Sequence, residues 1–139
     1  MITIRKTESS ILTFGYGNRK TYDDFSNCLE MFNVDYVIDV RLSPKAWTRR
    51  WWRDKISQFC AEKQVNYISM PELGNISGKA QWIPPDNLAA EEAISRLSKI
   101  VEGKTILLLC AELDAKRCHR SDVAVSLSNV IEATIKHLS

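Results

Sequence analysis

Two segments of this chain, Tyr36 to Val40 (YVIDV) and Thr105 to Leu109 (TILLL), are short, almost unbroken runs of aliphatic and β-branched residues. A strand with one wet face alternates apolar and polar side chains. A strand covered on both faces does not, and that pattern belongs to parallel sheets layered between helices. The rest of the chain agrees with such an arrangement. Ile11 to Phe14 is a third apolar run, followed by the turn residues Gly15-Tyr16-Gly17-Asn18. Val65 to Met70 is a fourth, stopped by Pro71.

Helical spacing separates these runs. Phe25, Leu29 and Phe32 recur at helical intervals after Thr21 and Asp24, which resemble a capping box with Asp in place of Glu. Asp54 to Gln64 repeats the pattern through Ile56, Phe59, Cys60 and Lys63. Leu88 to Val101 places Leu88, Ile94, Leu97, Ile100 and Val101 on one face before Gly103. Ser121 to Leu138 carries Val123, Leu127, Val130, Ile131, Ile135 and Leu138 at spacings of three and four, so a terminal amphipathic helix is expected. Pro71 to Asp86, with Gly74, Gly78, Pro84 and Pro85, reads as a long loop.

The expectation is a single α/β domain over residues 1–139, with its core at about 11–138 and residues 1–10 as an N-terminal extension. Its mostly parallel sheet of about four strands would carry helices on both faces, a Rossmann-like three-layer sandwich. The 139 residues suit one core, and 45% hydrophobic with 26% charged residues argues against a disordered, fibrous or membrane class. No apolar run is long enough to span a bilayer and the first ten residues lack a signal-peptide core, which points to the cytoplasm. The cysteines Cys28, Cys60, Cys110 and Cys118 follow no disulfide-scaffold spacing and read as free thiols, with Cys28 and Cys60 on apolar helix faces.

In parallel α/β sheets, ligands bind at the carboxyl ends of the strands. There the chain places Gly15, Tyr16, Gly17, Asn18 and Arg19 after the first strand, Asp39 and Arg41 at the end of the second, Glu72 after the third, and Cys110 to Glu112 after the fourth. Cys118, His119 and Arg120 open the last helix. A thiol beside His, Arg and a helix N-terminus is a candidate nucleophile, with His119 as candidate proton carrier and Glu112 as a further candidate catalytic residue. Arg41, Arg120 and the helix amides would suit an anion. Small core cysteines are the alternative reading. The same donors could also bind a metal, but their spacing matches no zinc module, so no metal and no cofactor is assigned. Two thiols eight positions apart could also cycle as a redox pair.

Gly15-Tyr16-Gly17 fails the dinucleotide fingerprint, because Lys20 stands where its third glycine belongs. Asp39 and Arg41 point to one face by strand alternation, as an internal ion pair or as an arginine offered to an anion. Net charge is only +2, too little for bulk attraction to nucleic acid or membranes. Local charge differs: Trp47, Arg49, Arg50, Trp51, Trp52 and Arg53 mix guanidiniums with large aromatics, a composition suited to unstacked bases or to a protein interface, or simply to covering the core.

Taken together, Thr13-Phe14-Gly15-Tyr16-Gly17-Asn18-Arg19, Asp39-Val40-Arg41 with Pro44, Tyr67 with Pro71-Glu72-Leu73-Gly74, and Cys110-Ala111-Glu112 with Cys118-His119-Arg120 resemble the family known as domain of unknown function 488. The resemblance runs from Leu12 to Leu127. It implies a compact α/β domain with these motifs lining one cleft, and it implies no activity. Asn75, where a second glycine commonly follows Leu-Gly, and the aromatic Trp47 to Trp52 segment depart from the pattern. The function expected is an enzyme-like domain that binds an anionic, phosphate-bearing ligand through a reactive cysteine and a His/Arg pair. The alternatives are a nucleic-acid-binding module with structural cysteines and a protein-interaction domain.

Overall fold

The computed structural model describes residues 9–17, 19–43, 48–79, 81–111 and 119–138. Strand β1 (Ser9–Gly15) leads through helix α1 (Asp23–Met31) to β2 (Tyr36–Asp39), and α2 (Arg53–Glu62) connects β2 to β3 (Asn66–Ser69). Helix α3 (Asn87–Val101) leads to β4 (Thr105–Cys110), and α4 (Arg120–Ser128) leads to a last strand, β5 (Ala133–His137). Single 3-10 turns at Arg49–Trp51 and Pro71–Leu73 follow β2 and β3. The five strands form one sheet in the order β3-β2-β4-β1-β5, with every pairing parallel.

The residues that define the central strands behave as their composition requires. Ile106 to Leu109 and Val37 to Val40 are buried on both faces. Ile106, Leu108, Ile38 and Val40 pack with Ala93, Ile94 and Leu97 of α3 and with Val123, Ala124 and Leu127 of α4. Leu107, Leu109, Val37, Leu12 and Phe14 face the other way, against Phe25 and Leu29 of α1 and Ile56 and Cys60 of α2. The two helical layers follow from strand order. The chain moves one way across the sheet from β1 through β2 to β3, then back to β4 and β5, and right-handed crossovers put the outward and returning helices on opposite faces.

Three expectations need correction. The terminal segment is not one helix: α4 ends at Ser128, and β5 runs alongside β1 in parallel register, Ser9 opposite Ala133 and Thr13 opposite His137. The apolar residues beyond Leu127 keep helical spacing by coincidence, since Thr134 and Ile135 are β-branched and the alternating burial of residues 133–136 fits an edge strand. On α3 the buried stripe runs through Ala90, Ala93, Ile94, Leu97 and Val101, whereas Leu88 and Ile100 are exposed. The helix is capped by Asp86, whose carboxylate accepts from the amides of Leu88 and Ala89. On α1 the N-cap is Tyr22, with no side-chain cap, and Thr21 accepts only from the amide of Asp23. Among the described residues no helix is long and apolar enough to cross a membrane.

Candidate functional site

Strand order locates the site. β1 and β2 send their connections over one face, while β4, between them, sends its connection over the other. The crevice where neighbouring connections part is where ligands bind in such sheets. Gly15 and Cys110 are register partners at this switch point. The main chain stays paired just beyond it, Tyr16 N donating to Cys110 O at 3.0 Å and Val40 N to Leu109 O at 3.2 Å.

His119, the residue before α4, returns to the same edge. Its Nε2 lies 2.8 Å from the Val40 carbonyl oxygen, and its Nδ1 lies 3.8 Å from Cys110 Sγ. A carbonyl only accepts, so Nε2 carries the proton. Burial lowers the His119 pKa, a shift opposed by its hydrogen bonds to the Val40 and Leu73 backbone. Burial thus favours the uncharged ring, and Nδ1 is the nitrogen on the sulfur side. Cys110 is 6% exposed and His119 6%. Arg120 opens α4 fully buried.

Cys110 is disulfide-bonded, against the expectation of free thiols throughout. Cys28 and Cys60 carry free thiols, half-buried and buried on α1 and α2 as expected. Burial raises the pKa of both, and Cys60, which also feels the Asp39 charge, is pushed up to about 12. Cys118 and Glu112, predicted as catalytic residues, lie outside the described residues, as do Asn18 and Trp47.

Asp39, Arg41 and Tyr16, with Tyr67 and Trp51, form a second cluster, on the α1/α2 face of the same edge. Asp39 accepts from Arg41 Nε at 2.8 Å and Nη2 at 2.6 Å, and from the Arg41 amide at 3.2 Å. The Tyr67 hydroxyl also donates to it. Arg41 Nη1 donates to the Trp51 carbonyl at 2.6 Å, and the guanidinium lies 5.4 Å from the Tyr16 ring centroid. Burial alone would lower the Arg41 pKa, but hydrogen bonds and charge from Asp39 outweigh it and the net shift is upward. Burial first, and then the Asp39 charge, raise that of Tyr67. Of the two readings of Asp39 and Arg41, this is the internal ion pair.

Among the described residues, the motifs fall on two faces of this edge. Alternation turns Cys110 towards α3 and α4, and turns Asp39 and Arg41 towards Tyr16, Trp51 and Tyr67. Arg19 folds back onto Gly15 O at 3.1 Å, pairs with Asp24 and covers the Phe14 ring. Gly17 turns the chain with φ of 50°. Glu72 pairs with Arg96 of α3 at 2.9 Å.

The basic-aromatic segment is also divided. Trp51 is 1% exposed, stacked on Tyr16 at 4.9 Å and edge-on to Tyr22 and Phe25, with Nε1 donating to the Arg19 carbonyl at 3.0 Å. Trp51, the last residue of the 3-10 turn Arg49–Trp51, is thus a core residue. Arg49 and Arg53 remain exposed and Arg50 half-buried. Arg49 pairs with Asp54 at 2.6 Å and lies over the half-buried Trp52 ring at 4.4 Å.

Two structural contributors escaped the sequence reading. The Val40 carbonyl is invisible to side-chain motifs. The sequence marks Gly74 as a loop and motif residue but gives no contact for it; a Cβ there would stand 2.6 Å from Leu42 Cα, so glycine lets the loops after β2 and β3 touch. A separate groove of about 600 Å³ between α3 and the end of α4, lined by residues including Trp82, Ile94, Ser98 and Val130, involves none of the candidate residues. Among the described residues no cluster of three or more His, Cys, Asp or Glu side chains could hold a metal ion.

The family described as Domain of unknown function DUF488 matches residues 21–127, which include Asp39, Arg41, Glu72 and the Cys110 to Arg120 segment. No curated protein and no solved structure matches the chain.

Proposed function

The chain belongs to the DUF488 family, and we propose that it is an enzyme-like domain doing thiol chemistry at the strand switch point, with Cys110 as nucleophile, His119 as its base and an anionic, phosphate-bearing ligand as its target. The observation that carries this reading is the His119 ring, which spans 2.8 Å to the Val40 carbonyl on one side and 3.8 Å to Cys110 Sγ on the other. A base needs an unprotonated nitrogen near the nucleophile, and donation from Nε2 to Val40 O with Nδ1 on the sulfur side supports that role. Reduced Cys110 passes its proton to Nδ1 and becomes the thiolate, the nucleophilic form.

The anionic character of the ligand is inferred from residue type: Arg120 is the first residue of α4, and a guanidinium and a helix start both favour an anion. Arg41 has a different part: its bonds to Asp39 and to the Trp51 carbonyl make it a strut behind the site.

The test uses the reduced full-length protein and iodoacetamide at neutral pH, with each cysteine followed by mass spectrometry. Cys110 should be labelled roughly tenfold or more faster than Cys28 and Cys60, as a base-assisted thiol is. Inorganic phosphate should slow Cys110 alone. Labelling of Cys110 no faster than of Cys28 would overturn the nucleophile assignment, and indifference to phosphate would overturn the anionic ligand.

A further inference from the structure

We propose that Trp82 is a positioning residue for His119: it bridges the turn after β3 to the first turn of α4 and so holds the imidazole against Cys110. The proposal rests on the reading of His119 as the base of Cys110. Trp82 lies between β3 and α3 and belongs to none of the motifs at the sheet edge. Its ring is half-buried and packs against the core that α3 and α4 share with the sheet. Its two N–H groups both find protein acceptors. The indole Nε1 donates to the Gly74 carbonyl at 3.0 Å, and the main-chain amide donates to Asp122 Oδ2 at 3.0 Å.

Those two acceptors adjoin the supports of His119 itself. Gly74 follows Leu73, the end of the 3-10 turn Pro71–Leu73, and the His119 ring is hydrogen-bonded to the Leu73 backbone as well as to Val40. Asp122 lies three residues beyond His119, in the first turn of α4, where Val123 N donates to His119 O at 3.0 Å. One residue thus joins the turn that receives the ring to the helix turn that carries it. The bridge is anchored at both ends. Asn75 and Ile83, which follow Gly74 and Trp82, are tied together, Ile83 N donating to Asn75 Oδ1 at 2.9 Å and Ile76 N to Ile83 O at 2.9 Å. A base must be held within reach of the proton it takes, and Nδ1 stands 3.8 Å from Cys110 Sγ. Without the bridge, α4 and the β3 turn are free to part, and the ring loses that placement. Trp82 acts through His119 and moves no proton itself.

The experiment measures the rate of Cys110 alkylation by iodoacetamide against pH in the reduced full-length protein, with Cys28, on the α1 and α2 side of the sheet, as internal reference. Trp82→Phe keeps an aromatic ring and the main-chain amide but removes the indole donor. It should slow Cys110 at neutral pH roughly three- to tenfold, the worth of one hydrogen bond, shift its profile towards that of His119→Gln, and leave Cys28 unchanged. Asp122→Ala opens the other arm and should slow Cys110 likewise. Asp122→Asn should restore the rate, because a side-chain amide oxygen still accepts from the Trp82 N–H. A Trp82→Phe protein that melts lower but keeps the wild-type Cys110 profile would overturn the proposal, since a residue that only packs changes stability and leaves the profile alone. An Asp122→Asn protein as slow as Asp122→Ala would overturn it too. His119→Gln separates this proposal from the one beneath it. If His119→Gln slows Cys110 and Trp82→Phe does not, only the positioning role falls. If His119→Gln leaves Cys110 unchanged, the base reading falls with it.

Discussion

Burial disfavours the charged form of His119, and this has a measurable consequence. Its folded pKa lies below the ordinary 6.5, so below that pH the unfolded chain binds a proton that the folded protein refuses. Its contribution to stability is complete above pH 6.5 and is lost as pH falls from there towards the lowered folded value. Urea melts of wild type should lose stability through that window, and His119→Gln should flatten that part of the loss. Identical slopes would mean that His119 takes up its proton freely in the folded state. Trp51 and Trp52 differ more sharply than adjacent tryptophans in one motif would suggest. Trp51→Ala removes a buried ring in contact with Tyr16, Tyr22 and Phe25 and should cost about 3–5 kcal/mol, whereas Trp52→Ala should cost about 1 kcal/mol or less. Chemical denaturation checks both. The sequence marked these residues as important but could not orient them, because a 3-10 turn of one residue more or less exchanges the inward ring for the outward one.

At the scale of elements, β2 and β4 were legible because burial on both faces leaves a run without alternation, and the helices before β4 were legible from their apolar stripes. The C-terminal strand was not. Val130, Ile131, Ile135 and Leu138 continue the spacing of α4, and only the pairing with β1 shows that the chain has changed structure. This strand covers the β1 edge, with the Ser9 amide donating to Glu132 O at 2.8 Å and the Leu138 amide to Thr13 O at 2.8 Å. Removing residues 132–139 should expose that edge, lower the melting temperature and promote self-association visible by size-exclusion chromatography. A truncated protein that melts and elutes like a monomeric wild type would contradict this role. The contact between the β2 and β3 loops makes a similar prediction: Gly74→Ala must push against the Leu42 backbone and should destabilise by about 1–3 kcal/mol in the same melts.

At the scale of the whole molecule, the order β3-β2-β4-β1-β5 decides what the motifs mean. The sequence indicated that the polar residues gather at the carboxyl edge of the sheet, where Asp39, Arg41, Cys110 and His119 lie among the described residues. It could not indicate which face of the edge each one takes, because that depends on strand order, which sequence separation leaves open. The sheet divides them: Asp39, Arg41 and Tyr67 close a buried network on one side, while Cys110 and His119 meet on the other. The central claim is that His119 is the base of a reactive Cys110. Its most direct measurement is the pH dependence of the alkylation rate of Cys110 in the reduced protein, wild type against His119→Gln. Wild type should react fast at neutral pH and the variant should lose this advantage, its rate rising only with the ordinary ionisation of a thiol. Superimposable profiles would contradict it.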